Sequence, residues 1–328
     1  MADKMVDQIR AMGLNNKIEW YPVTLPEWPG DKVLSHGQVL LVFQSAKHGK
    51  VAILDGQIQL TEKDGFVYQE MLTHLPLCSS RTRRRWSLSL FLFNCFRLLS
   101  FYVLLVGGGD GGILREISHH PSVGVNTLSV PKVIYGVYKQ FFPEIAVGCE
   151  DPRMNVYFED GVAFLKAIPE GTYDAIILDA FECMGATAIE LANKEFLESV
   201  ARALRPGGVL SAPADSFWLD NFTLEDTIAK RCQIFKGSAR YTWCSFPSYS
   251  SGTNGFVLCS DDRPAVDFEK PVDPLNTENN GVAKGPPKFY DSQIHVAAFG
   301  LPSFAKKVGS AVLSSFFSCG PLFLDRRL

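Results

Sequence analysis

The 328-residue sequence has few features that mark a disulfide-bonded, metal-binding, secreted or nucleic-acid-binding protein. Its eight cysteines include no CxxC pair, and cysteine and histidine never fall at the spacing of a zinc site. We therefore predict a reduced, cytoplasmic protein without a metal. The net charge of −3 offers no basic excess for nucleic acid and is compatible with a cationic substrate. The amino terminus, MADKMVDQIRAMG, lacks the apolar core of a secretory signal.

Residues 80–101 differ in composition from the rest of the chain. A basic cluster at 81–85 (RTRRR) precedes about twenty mostly apolar residues, as in a membrane anchor. Arg97 lies near the middle of this run, where a charge costs about 2.5–3.5 kcal/mol on insertion scales. The end of the run must also form a strand. We therefore predict a hydrophobic insertion into a globular domain and no membrane partner, with a membrane span as the alternative.

The remaining pattern indicates a globular α/β protein, with 46% hydrophobic and 20% charged residues. From Val33 to Leu60, apolar residues alternate with polar ones between turn residues, which predicts a small antiparallel β unit. From Val103 onward, strands of buried type alternate with helical stretches. The predicted fold is this amino-terminal β unit followed by a Rossmann-like, methyltransferase-type doubly wound sheet.

These patterns divide the chain into five parts. They are an irregular segment (1–30), an amino-terminal β domain (31–76), the hydrophobic insertion (80–101), a Rossmann-like catalytic domain (102–262), and an extended segment with a helical tail (263–328). Residues 66–75 have helical spacing, and 240–260 supply two β-rich runs for an antiparallel hairpin. His119 and His120 show no ligand spacing and are predicted to lie on a solvated helix face.

The stretch VLLVGGGDGGILREI (103–117) predicts a strand, a glycine-rich turn and a helix. Gly107, Gly109 and Gly112 have GxGxxG spacing, so the backbone can approach a ligand with no Cβ in the way. The helix start offers free N–H groups, as in a nucleotide cradle. Asp110 would repel a pyrophosphate, which favours an adenosyl ligand without phosphate that carries positive charge. A tight turn without a ligand is the alternative.

Acidic residues are predicted to follow several strands of the sheet, where ligands of open α/β proteins bind. Carboxylates can hold the positive charge of a cationic ligand, and aromatic rings can pack against its apolar parts or its charges. Surface positions for the acids and core packing for the aromatics are the alternatives. The acids are Asp110, Asp160, Asp179, Glu182 and Asp215, and the aromatics are Tyr68, Trp218 and Tyr249.

Several sequence blocks, in order, resemble the spermidine/spermine synthase family of polyamine aminopropyltransferases. They are DGQIQLTEKD (55–64), YQEM (68–71), LPLCS (75–79), GGGDGGILREI (107–117) and ALRPGG (203–208). Three further blocks look closest to the plant spermine synthase branch: VFQSA (42–46), GVAFLK (161–166) and LPSFAKKV (301–308).

The resemblance implies transfer of an aminopropyl group from decarboxylated S-adenosylmethionine to spermidine or putrescine. It implies no metal or other cofactor, and a homodimer or a heterodimer with family members. Asp179 aligns with the family's base, Asp110 and Asp215 with acids facing the aminopropyl group and the amine, and Asp160 with the acid at the adenine amino group. The predicted cosubstrate site comprises Gln38, Gly107, Gly109, Asp110, Asp160 and Gly161. The predicted acceptor site comprises Gln59, Tyr68, Glu182, Asp215, Trp218 and Tyr249.

The sequence departs from the family pattern at the site. The family's acidic pair after the second sheet strand, which binds ribose, is missing, since no Asp or Glu occurs between Glu116 and Glu144. The family's DSSDP loop reads DAFEC (179–183), so Glu182 replaces its second Asp. The missing ribose acid predicts weaker cosubstrate binding, and the changes together predict inefficient aminopropyl transfer. They support one alternative, a catalytically weak homologue that acts as a dimer partner subunit. The other alternative is a putrescine N-methyltransferase on the same scaffold, against which Asp110 argues.

Overall fold

The structure is a computed structural model. It describes residues 23–24, 39–54, 56–79, 101–121, 123–128, 132–157, 161–179, 193–219, 222–249, 251–261, 266–272, 275, 281–283 and 285–306. These residues form two sheets with helices packed on them.

The first sheet is small and antiparallel, with its strands in chain order. It comprises β1 (Val23–Thr24), β2 (Val39–Ser45), β3 (Gly49–Leu54) and β4 (Gln57–Thr61). Alternating residues such as Leu40, Val42 and Leu54 form a core with the helix that follows the sixth strand. The prediction of an antiparallel unit is confirmed. The segment 1–30 is not wholly irregular, because the backbone of β1 pairs with β2.

The second sheet has seven strands in the order β10-β11-β9-β8-β5-β6-β7. Strands β7, β6, β5, β8 and β9 run parallel, while β11 pairs antiparallel with both β9 and β10. This confirms the doubly wound sheet and its antiparallel edge hairpin. The strands are β5 (Phe101–Gly107), β6 (Val123–Leu128), β7 (Met154–Tyr157), β8 (Tyr173–Asp179), β9 (Leu204–Ala214), β10 (Ser238–Ser245) and β11 (Thr253–Ser260).

Helices cover both faces of this sheet, because consecutive residues of its buried strands point to opposite sides. Val103 and Leu105 of β5 join the core on one face, and Leu104 and Val106 join the core on the other. The first face carries α1 (Gly65–Ser79) and α2 (Gly112–Ile117), and the second carries α5 (Gly161–Ala167), α6 (Lys194–Ala203) and α7 (Leu224–Ile234). Further α-helices are α3 (Lys132–Phe141), α4 (Pro143–Ala146) and α8 (Ser292–Ala297).

The topology places the ends of β5 and β8 side by side. The chain leaves β5 toward β6 and later returns to the opposite side of β5 as β8, so the strand order reverses between these two neighbours. Ligand sites in open α/β sheets lie at such a reversal, beyond the carboxyl ends of the strands. A ligand site is therefore expected beyond Gly107 and Asp179, the last residues of β5 and β8.

Among the helices that the structure describes, none is both long and apolar enough to cross a membrane. Most of the predicted hydrophobic insertion (80–100) lies outside the described residues, while Phe101 already belongs to β5.

Candidate active site

The glycine-rich loop brings two carboxylates to one cleft. Gly107, the last residue of β5, pairs with Asp179, the last residue of β8. Its φ is 97°, and a Cβ there would lie 2.3 Å from the backbone oxygen of Asp179, so only glycine fits. The loop then carries Asp110 over the carboxyl ends of the strands, and Asp110 and Asp179 line the same cleft.

Helix α1 orients both carboxylates through consecutive residues. The Tyr68 hydroxyl donates to Asp179 Oδ1 at 2.7 Å, and Gln69 Nε2 donates to Asp110 Oδ2 at 2.7 Å. Glu70 points elsewhere and accepts from the backbone N–H groups of residues 288–290 at 2.8–2.9 Å. Side chains along a helix diverge by about 100° per residue, so three consecutive residues can contact three separate parts of the chain.

Both cleft carboxyls resist ionisation. Burial, followed by the negative charge of Asp110, raises the pKa of Asp179 to about 7, although hydrogen bonds from Tyr68 and the Gly108 backbone oppose the shift. Burial also raises the pKa of Asp110, against the hydrogen bonds from the Gly112 N–H and Gln69. An acid with a pKa near 7 can exchange a proton with an amine at neutral pH.

The small sheet and two further elements complete the cleft walls. Gln57, Ile58, Gln59 and Leu60 line it from β4, Ile134 and Tyr138 from α3, and Phe246 and Tyr249 from the loop after β10. The Tyr249 hydroxyl donates to Asp215 Oδ1 at 2.8 Å, which ties this loop to the end of β9. Asp64 accepts from both the backbone N–H and the hydroxyl of Ser248 at 2.8 Å. The cleft thus combines an acidic floor with aromatic and amide walls.

The structure brings together many of the residues that the sequence predicts for the site. Gln59, Tyr68, Gly109, Asp110, Asp179 and Tyr249 line the cleft, Gly107 lies directly behind it, and Asp215 is linked to it through Tyr249. Gly161 begins α5. Gln38, Asp160 and Glu182 lie outside the described residues.

Trp218 is not among the residues that line the cleft. Its side chain is 58% exposed and packs against Phe304, with ring centroids 5.0 Å apart. Trp218 follows the end of β9, as the sequence indicates, but the turn at 216–219 directs its ring toward the segment 301–306.

Sequence reasoning missed Gln69, Tyr138 and Phe246 as lining residues. The YQEM block contains Gln69, and its place beside Tyr68 on a predicted helix was the available signal. The prediction of a solvated face for His119 and His120 is wrong, because both are buried. His74 Nδ1 lies 3.1 Å from His120 Nε2, and Glu116 Oε2 lies 3.3 Å from His74 Nε2 and 3.5 Å from His119 Nε2. Within the described ranges, no three His, Cys, Asp or Glu side chains converge as a metal site requires.

The family of the chain follows from comparison with known sequences. The model of the spermine/spermidine synthase domain matches residues 65–270, which include the glycine loop, Asp179 and Tyr249. The model of the spermidine synthase tetramerisation domain matches residues 32–62, which include β2, β3 and β4. The chain belongs to the spermine/spermidine synthase family.

Curated relatives and solved structures agree with this assignment. Spermidine synthase 2 of Datura stramonium is 48% identical over 301 residues, which cover 88% of this chain and 89% of the relative. Spermidine synthase of Coffea arabica is 49% identical over 303 residues, which cover 88% and 90%. A crystal structure of spermidine synthase in complex with the transition state analogue AdoDATO has a TM-score of 0.72 at 25% identity, covering 90% of this chain and 89% of that chain. The family and fold predicted from the sequence are confirmed.

Proposed function

We propose that this family member transfers the aminopropyl group of decarboxylated S-adenosylmethionine to a polyamine amine. Membership of the family supports an aminopropyltransferase of polyamine biosynthesis. The observation that carries the proposal is the pair of cleft carboxyls, Asp110 and Asp179, whose hydrogen-bond donors are uncharged. A donor with a sulfonium and an acceptor with ammonium groups would supply the positive charge that complements this pair.

The chemical step is a displacement at the aminopropyl carbon attached to sulfur. The amine nitrogen forms a bond to this carbon, the carbon–sulfur bond breaks, and its electron pair remains on sulfur to give methylthioadenosine. The nitrogen must lose a proton to attack, and Asp179 is the proposed acceptor because its pKa of about 7 suits exchange at neutral pH. Alignment of the nitrogen, carbon and sulfur within the cleft would supply much of the acceleration.

The remaining roles divide the cleft between donor and acceptor. Asp110 is proposed to face the aminopropyl group, while Gln38, Asp160 and Gly161 contribute to adenosyl binding with the glycine loop. Gln59, Tyr249 and Asp215 are proposed to contact the acceptor, with Glu182 beside them. The hydrogen bond between Tyr249 and Asp215 supports this grouping, because it places a carboxyl and a phenol at one wall.

We propose putrescine as the preferred acceptor and spermidine as its competitor. The named relatives are spermidine synthases, which supports putrescine, whereas three sequence blocks resemble the spermine synthase branch. We also propose an oligomer that uses the amino-terminal sheet, on the strength of its match to the tetramerisation domain.

The test is an assay of purified protein with decarboxylated S-adenosylmethionine and either amine, following methylthioadenosine release. Release with putrescine at least tenfold faster than with spermidine supports the proposal. The reverse ratio would identify spermidine as the preferred acceptor. Release from intact S-adenosylmethionine with putrescine, giving a methylated amine, would instead identify a methyltransferase. No release in any combination would favour the role of a partner subunit. Measuring the mass of the complex formed with an active family member tests that role.

A further inference from the structure

A chain of buried and partly buried polar side chains extends behind the glycine loop, away from the cleft. It begins at Asp110, whose Oδ2 accepts from Gln69 Nε2 at 2.7 Å. The other end of the Gln69 amide, Oε1, accepts from Arg115 Nη2 at 3.2 Å. Arg115 in turn donates through Nε to Glu116 Oε1 at 2.8 Å. The guanidinium is therefore a bridge between the Gln69 amide and a buried carboxylate.

The direction of the Gln69 amide determines what Asp110 meets. An amide presents two donors at one end and an acceptor at the other. If it turned over, its oxygen would face the Asp110 carboxylate and repel it. Arg115 has only donors, so it can donate only to the oxygen end of the amide, which leaves the NH₂ end toward Asp110.

Two further observations show that this arrangement is tightly constrained. A Cβ on Gly112 would lie 2.0 Å from Gln69 Nε2, so the amide fills the space above that glycine. Glu116 Oε1 accepts a hydrogen bond from Arg115 Nε, and Glu116 Oε2 lies 3.3 Å from His74 Nε2 and 3.5 Å from His119 Nε2. The Arg115 side chain is 17% exposed and that of Glu116 is 3% exposed, which limits competition from water.

We propose that Arg115 is a positioning residue, which fixes the Gln69 amide so that its NH₂ group orients the Asp110 carboxylate toward the aminopropyl donor. Arg115 does not line the cleft, and its hydrogen bond in this direction goes to Gln69. Its charge also lowers the pKa of Asp110, and Arg115→Lys keeps that charge. A planar fork is needed to bond Glu116 and Gln69 together, and lysine cannot reproduce it. The inference rests on the proposed function, since it assigns a direction to the Asp110 carboxylate of that same site.

The main test compares Arg115→Lys, Gln69→Ala and the double variant in the full chain. Arg115→Lys keeps the charge against Glu116 and removes only the fork. Each single variant should lower kcat by about tenfold, the range for one hydrogen bond to a charged group. The KM for the amine should stay within about twofold of the wild-type value. The kcat of the double variant should be no lower than that of the less active single variant. Independent, multiplying losses, or wild-type kcat in Arg115→Lys, would overturn the proposal.

A second variant displaces the Gln69 amide and leaves both side chains of the Arg115–Glu116 ion pair in place. Gly112→Ala should displace the Gln69 amide and lower kcat to a similar extent, with no further loss when combined with Gln69→Ala. A kcat for Gly112→Ala equal to wild type would contradict the constraint. This variant also decides the question if Arg115→Lys does not fold.

A readout that needs no turnover separates this inference from the proposed function. Carboxyl carbon NMR follows the titration of Asp110 in wild type, Arg115→Lys and Gln69→Ala. Both variants should raise its midpoint, because each removes or misdirects the amide donor. A raised midpoint in a protein that releases no methylthioadenosine would reject the function and keep the positioning role. Unchanged midpoints in a protein that releases methylthioadenosine would support the proposed function and overturn the positioning role of Arg115.

Discussion

The two ends of the loop-and-helix segment from Asp110 to Glu116 hold carboxylates in opposite electrostatic settings. At the front, Asp110 and Asp179 face the cleft and accept hydrogen bonds from a tyrosine, an amide and backbone N–H groups. At the back, Glu116 lies among Arg115, His74 and His119. Only five residues lie between Asp110 and Glu116 along the chain.

The difference teaches that burial alone does not decide the charge of an acid. Burial opposes ionisation at all three sites. At Glu116, the hydrogen bond from His74 and the charge of Arg115 outweigh it, and the pKa falls below its usual range. At Asp179 burial prevails, helped by the charge of Asp110, and the pKa rises. A cationic ligand could therefore balance the charge of the front carboxylates, whereas the charge of Glu116 at the back is already balanced within the protein.

The largest expected effect comes from removing the front acid that we assign as the base. Asp179→Asn should lower turnover by about 10²–10⁴-fold, the range for a positioned acid–base group. Because the folded-state pKa of Asp179 lies above its unfolded value, the ionised carboxyl destabilises the protein as pH rises from about 4 to 7. The variant should therefore lose activity and yet be more stable than wild type at pH 8, as measured by denaturant unfolding.

A matched control lies at the other end of the same strand. Asp174 is fully buried and accepts from Tyr102 N at 2.8 Å and from Arg205 Nη1 at 2.7 Å. Burial also raises the pKa of Asp174, so by the same linkage Asp174→Asn should not lower stability at pH 8. Turnover per folded molecule should stay within about twofold of wild type, since this residue is outside the cleft. Equal turnover in wild type and Asp179→Asn would move the base to Glu182 or Asp215.

Neutralising the back acid should produce the next largest effect, on stability. Glu116→Gln should lower the free energy of unfolding at pH 7 by about 1.5–3 kcal/mol, because charge-assisted hydrogen bonds are lost in a buried place. Since the folded-state pKa of Glu116 lies below its unfolded value, this stabilisation is present above about pH 4.5 and is lost as pH falls through the folded pKa. The difference between variant and wild type should narrow as the pH falls below about 4.5. A constant difference across pH would show that packing, not charge, holds Glu116.

The sequence predicts the front of this segment better than the back. Glycine spacing after an apolar run indicates a strand, a turn and a helix, and β5, the loop and α2 follow that order. Strand-end acids converge because parallel strands end at one edge, which places Asp110 and Asp179 together. Both inferences depend on local pattern and sheet geometry alone.

The back depends on contacts between distant parts of the chain. His119 and His120 look like polar residues of a surface helix, but α1 covers them and supplies His74 as a partner, 46 residues from His120 in sequence. Gln69 likewise gains its role from Asp110, 41 residues away. Trp218 shows the converse error, since its position after a strand suggests the cleft while its ring contacts Phe304. Pairings of this kind are set by helix rotation, which spacing does not reveal.

A third prediction concerns the ribose acid of the family pattern. The family's ribose acid is absent, and its place after β6, at Ser129, lies outside the described residues. Ser129→Asp should tighten methylthioadenosine binding by about one to two powers of ten, following the range of about 1.5–3 kcal/mol for charged hydrogen bonds. Calorimetric titration of wild type, Ser129→Asp and Val130→Asp measures it, with the second variant as the alternative register. Wild-type binding as tight as in both variants would show that another group holds the ribose.

The smallest effect separates two aromatic residues that the sequence placed in the same site. Tyr249 lines the cleft and bonds Asp215, whereas Trp218 lies exposed against Phe304. Tyr249→Phe removes one hydrogen bond and keeps the ring, so the KM for the amine should rise about three- to tenfold. Trp218→Ala should change that KM by less than about twofold, because truncating a half-exposed ring away from the cleft removes no contact to the amine. Steady-state kinetics with varied amine compares them. A larger effect for Trp218→Ala than for Tyr249→Phe would mean that the ring of Trp218 turns into the cleft when substrate binds, and that the acceptor wall extends to the end of β9.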